Sequence, residues 1–166
     1  MAERILATRP ATKDDFEYVW SVYSDAVKPH IVPHLKNGWQ DAVEIENFRK
    51  MWSPSGSHII TVDGSHVGWA GVVVSDKQVE IEHLYIERSH RGKGYGTRLV
   101  SEMAKRWSEQ GKAVSAPVLS DERLLKWVSR FGFQLSGETG GRLTRTFAYR
   151  PKEVGAGKDA EGGMLS

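Results

Sequence analysis

Nine consecutive residues, Arg91-Gly92-Lys93-Gly94-Tyr95-Gly96-Thr97-Arg98-Leu99, constrain this chain more than any others. Before them runs an extended segment, Val79 to Ile86, and after them Leu99, Val100, Met103 and Trp107 recur at helical spacing. A strand that leads through a glycine-dense turn into a helix N-terminus makes an anion site. Glycine lets the backbone approach a ligand closely, and the first-turn N–H groups have no partner inside the helix. The helix dipole adds positive potential at the same end. Arg88, Arg91, Lys93 and Arg98 surround the turn, so phosphate is the expected ligand chemistry.

Three phosphate-binding patterns compete for this stretch. A Walker A loop needs Gly-Lys followed by Ser or Thr, whereas Lys93 is followed by Gly94. A dinucleotide fingerprint needs G-x-G-x-x-G near the start of a βαβ unit. The spacing here is G-x-G-x-G, deep in the chain, with no matching later acidic residue. The third pattern is R-x-x-G-x-G, filled by Arg91, Gly94 and Gly96 after a strand ending Leu84-Tyr85-Ile86. It resembles the acetyl-CoA pyrophosphate loop of the GNAT (N-acetyltransferase) superfamily.

The rest of the chain can be read for the element order that such a loop requires. Ile5 to Thr8 reads as a first strand ending at Pro10, and Thr12 with Asp15 reads as a capping box. The helix opened there carries Phe16, Val19, Trp20 and Tyr23 on one face. Pro29 and Pro33 predict an irregular link from Lys28 to Gly38. A second helix is expected from Asp41 to Met51, with Ala42, Ile45, Phe48 and Met51 or Trp52 inward. Strand patterns then follow from Ser57, with Asp63-Gly64 as a hairpin turn, Val67 to Val74 returning and Gln78 to Ile86 as the third run. The helix Thr97 to Glu109 stops at Gly111. A strand Val114 to Leu119, a helix Asp121 to Phe131 and two last strands around Thr139-Gly140-Gly141 complete the pattern. From Pro151 to Ser166 the chain is rich in Gly, Lys and Glu and reads as a disordered tail.

This β-α-α-β-β-β-α-β-α-β-β order is that of the GNAT fold, so the resemblance covers about Arg4 to Arg150. The opening Arg9-Pro10-Ala11-Thr12 and the closing Arg130-Phe131-Gly132-Phe133 are also similar to that superfamily. The resemblance implies an α/β fold: a mixed central sheet splayed between strands 4 and 5, with helices on both faces. One N-acetyltransferase domain would span residues 1–150, followed by the tail 151–166. Acetyl-CoA would be the co-substrate. Its pantetheine arm would bond the backbone of Leu84 and Ile86 like an added strand. Its pyrophosphate would lie on the N–H groups of Arg91, Gly92, Lys93, Gly94, Tyr95, Gly96 and Thr97.

The reaction implied is acetyl transfer to an amine. An amine with a lysine-like pKa is neutral in only about one molecule in 2,500 at pH 7, so a proton acceptor is useful. Glu80 and Glu82 precede the glycine loop, and period-two geometry puts both on one face, opposite Ile81 and His83 unless a bulge intervenes. Counted back from Arg91, Glu80 matches a position at which histone acetyltransferases carry a basic group. Arylalkylamine acetyltransferases carry basic groups at both positions. Backbone N–H near Leu84 or Tyr85 would meet the developing oxyanion. The chain departs from its relatives where many have a tyrosine as proton donor to sulfur, because Val128 stands there, next to Trp127. The asparagine often found near the start of that helix is replaced by Asp121-Glu122, and Ser120 is read as a cap. The resemblance makes Trp20, Tyr23, His30, His34 and Trp39 candidates to line the acceptor pocket; helical spacing favours core for Trp20 and Tyr23, while His34 and Trp39 lie in the irregular link. His30 and His34 are four apart, but the two prolines argue against the helix that a shared metal would need.

Composition narrows the alternatives. The 166 residues carry a net charge of +2, too small for nucleic acid to be the main partner, and no cysteine, so no thiolate metal site or cysteine nucleophile. No apolar run nears the roughly 20 residues of a membrane span, and no signal peptide precedes Arg4. The expectation is a cytoplasmic N-acetyltransferase, monomeric or homodimeric, whose partners are acetyl-CoA and an amine acceptor, with no membrane and no metal. The alternatives are a related domain that holds acyl-CoA without turnover, and transfer of a larger acyl group.

Overall fold

The structure, a computed structural model, describes residues 4–119, 126, 129, 130, 132–137 and 144–149. The described residues of Met1–Ser75 and Val79–Val100 form one compact unit, and those of Asp76–Gln78 and Ser101–Ser166 form a second. In the first, strands β1 (Leu6–Pro10), β2 (Ser57–Val62), β3 (Ser65–Val74) and β4 (Gln78–Ile86) pair antiparallel in sequence order. Asp63 and Gly64 both take positive φ, 51° and 84°, which is the two-residue turn whose twist suits a hairpin. In the second unit β7 (Thr144–Tyr149) pairs antiparallel with both β5 (Ala113–Leu119) and β6 (Phe133–Gly137).

Helices α1 (Phe16–Ile31) and α2 (Asp41–Met51) precede β2. The Thr12 hydroxyl accepts from the Asp14 N–H while the Asp15 carboxylate accepts from the Thr12 N–H, so the expected capping box forms. It caps a single 3-10 turn, Lys13–Asp15, from which α1 continues. Arg9 then donates two hydrogen bonds to the buried Asp15 carboxylate, at 3.0 and 2.8 Å. Phe16, Val19, Phe48, Ile59 and Trp69 make the core of this unit, with Trp20, Tyr23, Ile45, Trp52 and Tyr85 packed against it.

Three local expectations are corrected. The link after Lys28 is not irregular at its start, because α1 runs through Pro29 to Ile31 and a 3-10 turn follows at Val32–His34. Proline forfeits one helical hydrogen bond, and this close to the helix end that loss is tolerated while Val27 stays buried. In α2, Phe48 is buried and Trp52 turns inward against Phe16, whereas Ala42 and Met51 face solvent. Trp52 follows the helix in extended backbone, so helical spacing does not govern its direction. Helix α3 (Tyr95–Glu109) opens at Tyr95, two residues before Thr97, with the Arg98 N–H bonding the Gly94 carbonyl at 3.0 Å. It ends as expected at Gly111 (φ 84°), where Lys112 N–H bonds Trp107 O and Gly111 N–H bonds Ser108 O.

Lys126 and Ser129 are helical, as expected of the segment Asp121–Phe131. Most of that segment, the turn Thr139-Gly140-Gly141 and the tail 151–166 lie outside the described residues.

Candidate active site

The glycine loop takes the shape that its residues demand. Gly92 and Gly94 sit at φ 80° and 85°, where side-chain-bearing residues are strained, and a Cβ on either would meet nothing within 4 Å. Packing therefore does not require glycine here; backbone conformation does. The side of the loop on which a Cβ would stand is open for a ligand. With Gly94 accepting the first helical bond, the N–H groups of Gly94, Tyr95, Gly96 and Thr97 are the four without a partner inside α3. Arg91, Gly92, Lys93 and Gly94 are exposed, Tyr95 is buried, and Gly96, Thr97 and Arg98 are half-buried. This cradle of N–H groups, glycine-shaped and flanked by Lys93 and Arg98, fits a pyrophosphate.

Helix α1 ties down the segment leading into the loop. Tyr18 donates a hydrogen bond to the Glu87 carboxylate, one residue past β4. Burial raises the Tyr18 hydroxyl and Glu87 raises it further, so the phenol keeps its proton. About two turns along α1, Asp25 pairs with Arg88 at 3.0 Å and with Arg91 at 3.7 Å. Arg91 also donates from Nε to the Ile86 carbonyl at 2.7 Å. The Glu87 N–H bonds Val67 O across the β3–β4 ladder. By antiparallel alternation Tyr85 shares that bonding direction, and the peptide groups of Leu84 and Ile86 turn away from β3. Those are the two residues expected to bond the pantetheine arm.

A bulge in β4 arranges its ionisable side chains. Gly71 pairs with His83 and Val72 with Ile81, which leaves Glu82 as an extra residue. Regular alternation would place His83 opposite Glu80 and Glu82; the bulge corrects this. Glu80, His83 and Tyr85 share the face of Val73, Gly71 and Trp69, while Val79, Ile81, Leu84 and Ile86 take the other. The His83 ring stacks on Trp69 with centroids 4.9 Å apart, and a Cβ on Gly71 would stand 3.2 Å from His83 Cδ2. Tyr85 stacks on the same indole at 5.6 Å, and Tyr23 meets His83 and Tyr85 edge-on from α1.

Burial sets the charges on this face. It pushes the His83 imidazole down to about 4, so the ring is neutral near pH 7. The Glu82 carboxyl is raised by burial and then by the neighbouring charge of Glu80. Tyr85 and Tyr23 are both raised by burial, Tyr23 further by Glu44. The sequence does not single out His83, and it favours core over pocket for Tyr23. The signal for them, a histidine and a tyrosine at apolar spacing, is the ordinary signature of core. The bulge turns His83 to the face of Glu80, and the packing of α1 sets Tyr23 against His83.

Of the acceptor candidates, Trp39 stacks on Trp20 at 6.2 Å, lies under the Lys28 ammonium at 5.7 Å and donates to Asp41 at 2.7 Å. Trp20 leads through Phe48 and Tyr23 to His83, so Trp39 joins the end of one continuous run of rings. His34, on the 3-10 turn, is exposed, and among the described residues no ring contact links it to that run. His30 lies on α1. Val128, Trp127, Ser120, Asp121 and Glu122 lie outside the described residues.

The sequence profile of the acetyltransferase (GNAT) family matches residues 17–133, well over half of the chain. The chain belongs to the GNAT acetyltransferase family. Enzymes of this family use acetyl-CoA as co-substrate. Solved structures show the same fold, the expected α/β acyltransferase architecture. A PaiA N-acetyltransferase from Thermoplasma acidophilum, in complex with coenzyme A, superposes with a TM-score of 0.66 at 15% identity, covering 87% of this chain and 99% of that one. An N-acetylglutamate synthase from Neisseria gonorrhoeae, complexed with coenzyme A and N-acetyl-glutamate, gives 0.63 at 19%, covering 92% of this GNAT chain but 36% of the synthase. Naa50 from Arabidopsis thaliana, bound to a bisubstrate analogue, gives 0.59 at 12%, covering 87% and 98%. Among curated proteins no sequence matches this GNAT chain.

Proposed function

We propose that this chain transfers the acetyl group of acetyl-CoA to a primary amine of a small molecule or protein, with Glu80 or Glu82 drawing off the amine's proton. The observation that carries this reading is the pair of left-handed glycines, Gly92 and Gly94, opening α3 directly after a bulged strand with two carboxylates. Acetyl-CoA supplies an activated thioester when bound. The N–H groups of Gly94 to Thr97 hold its pyrophosphate, and Leu84 and Ile86 align its pantetheine arm along β4.

The acceptor side supplies negative charge, with the Lys28 ammonium as an opposing charge over Trp39. Glu80, Glu82 and Glu44 attract an ammonium, while His83 stays neutral and does not repel it. A raised Glu82 carboxyl is a better proton acceptor than a free glutamate, which suits a general base. Trp39 and His34 are the residues read from sequence for the acceptor; the ring run favours Trp39 over His34. Net charge +2 supports a partner other than nucleic acid, and no helix among the described residues is long and apolar enough to cross a membrane. We read the protein as cytoplasmic, a monomer or homodimer.

The test is CoA release against a panel of amines and peptides, followed by Glu80→Gln, Glu82→Gln and the double variant. The variant that removes the base should lose about 10²–10⁴ in rate near neutral pH, roughly 3–5 kcal/mol, and recover part of it at high pH. Three variants that match the wild type across pH would remove both glutamates from the base role. A chain that binds acetyl-CoA yet turns over no amine would instead support the non-catalytic reading, which the Val128 position favours.

A further inference from the structure

We propose that Asp25 restrains the phosphate site: by engaging Arg88 and Arg91 from α1, it lowers the affinity of the glycine loop for the phosphates of coenzyme A. The inference rests on the reading above and deepens it by naming a residue that no loop motif contains. Asp25 is more than sixty positions from the loop, yet its carboxylate divides between two loop arginines, Oδ1 to Arg88 at 3.0 Å and Oδ2 to Arg91 at 3.7 Å.

The charge consequences follow from chemistry. Coenzyme A carries a pyrophosphate and a 3′-phosphate, and guanidinium is the side chain best shaped to grip such groups. Each guanidinium held by Asp25 offers fewer N–H donors to a phosphate. The carboxylate also sets negative charge against the two arginines that a phosphate would use, which weakens the binding of an anion there. Arg91 is further engaged by the Ile86 carbonyl through Nε, which orients its Nη groups towards Asp25. All three side chains are substantially exposed, 46% for Asp25, 71% for Arg88 and 42% for Arg91, so these pairs are weak enough for a phosphate to displace. A restraint of this size tunes affinity without blocking the site. Fast release of the product, free coenzyme A, is the functional gain.

The experiment titrates coenzyme A and pantetheine, which lacks the phosphates, into the wild type, Asp25→Asn and Asp25→Glu at low and high salt. Asp25→Asn should bind coenzyme A about threefold to tenfold more tightly, the size expected for one or two exposed ion pairs. The gain should shrink at high salt, and pantetheine binding should not change. Asp25→Glu, which keeps the charge, should stay near the wild type. Unchanged or weaker coenzyme A binding in Asp25→Asn overturns the proposal, as does an equal gain for pantetheine, which would mean a change of shape and not of charge. If the wild type itself fails to bind coenzyme A, the functional reading falls and this inference falls with it, an outcome distinct from a wild type that binds and a variant that shows no gain.

Discussion

His83 shows how much one side chain depends on its setting. Its ring lies on Trp69, with Tyr23 edge-on, and the missing side chain of Gly71 leaves the space for it. Burial brings its pKa to about 4, below the usual 6.5 of a free histidine. The unfolded chain therefore binds the proton more readily, and stability rises with pH between those values. The contribution, roughly 3 kcal/mol, is complete above about pH 6.5 and is lost as pH falls towards 4. His83→Phe should flatten the dependence of unfolding free energy on pH in that window, measured by urea titration at several pH values. Asp15 titrates lower: the Arg9 hydrogen bonds hold it at about 2 against an ordinary 3.8, so its share is lost only as pH falls from there towards 2. A His83→Phe protein that keeps the wild-type slope between pH 4 and 6.5 would show that the imidazole is not held neutral.

Among the elements, β4 is decisive because one extra residue changes which side chains meet. Glu82 belongs to no pair with β3, so its removal would leave Ile81 and His83 as neighbours opposite Val72 and Gly71. The chain with Glu82 deleted should therefore fold, with both faces of β4 intact and a stability within about 2 kcal/mol of Glu82→Ala, since the ladder closes over the gap. Acetyl transfer should fall further in the deletion than in Glu82→Ala, because the deletion removes the bulge as well as the carboxylate. Circular dichroism melts and turnover of the two variants make the comparison. A deletion that does not fold would mean that the bulge's bend, not only its residue, is needed for packing. Helix α1 plays the complementary part: Tyr18 holds Glu87 at the end of β4, Asp25 holds the loop arginines, and Tyr23 closes over His83. One helix thus touches both the arginines beside the glycine loop and the β4 face that carries His83.

At the scale of the whole molecule, ligand binding and folding are linked. Acetyl-CoA held by the folded GNAT chain and not by the unfolded one should stabilise it by about 2.7 kcal/mol at one hundred times Kd. Gly94→Glu should abolish that gain, since it sets a carboxylate against the phosphates at a φ of 85° that only glycine takes easily. Its own melting temperature should fall modestly, because nothing within 4 Å would be displaced by the new Cβ. Differential scanning calorimetry with and without acetyl-CoA reads both effects. An unshifted wild-type melting temperature would count against the cofactor site itself.

Sequence alone determined the features that depend on neighbours a few residues apart. Thr12 and Asp15 cap, Asp63-Gly64 turns, Gly111 ends a helix, and Arg91, Gly94 and Gly96 mark the loop from which the family was read. Local turn and cap chemistry needs no distant partner, so it is legible in one dimension. Tertiary structure decided the rest. Pro29 stays helical, Trp52 and not Met51 turns inward, Glu82 is extruded from its ladder, and Asp25 reaches Arg88 and Arg91. Each of these is settled by packing or pairing with residues remote in the chain. A periodic pattern records the spacing of side chains along one element, but not which residue of a neighbouring strand or helix stands across from them.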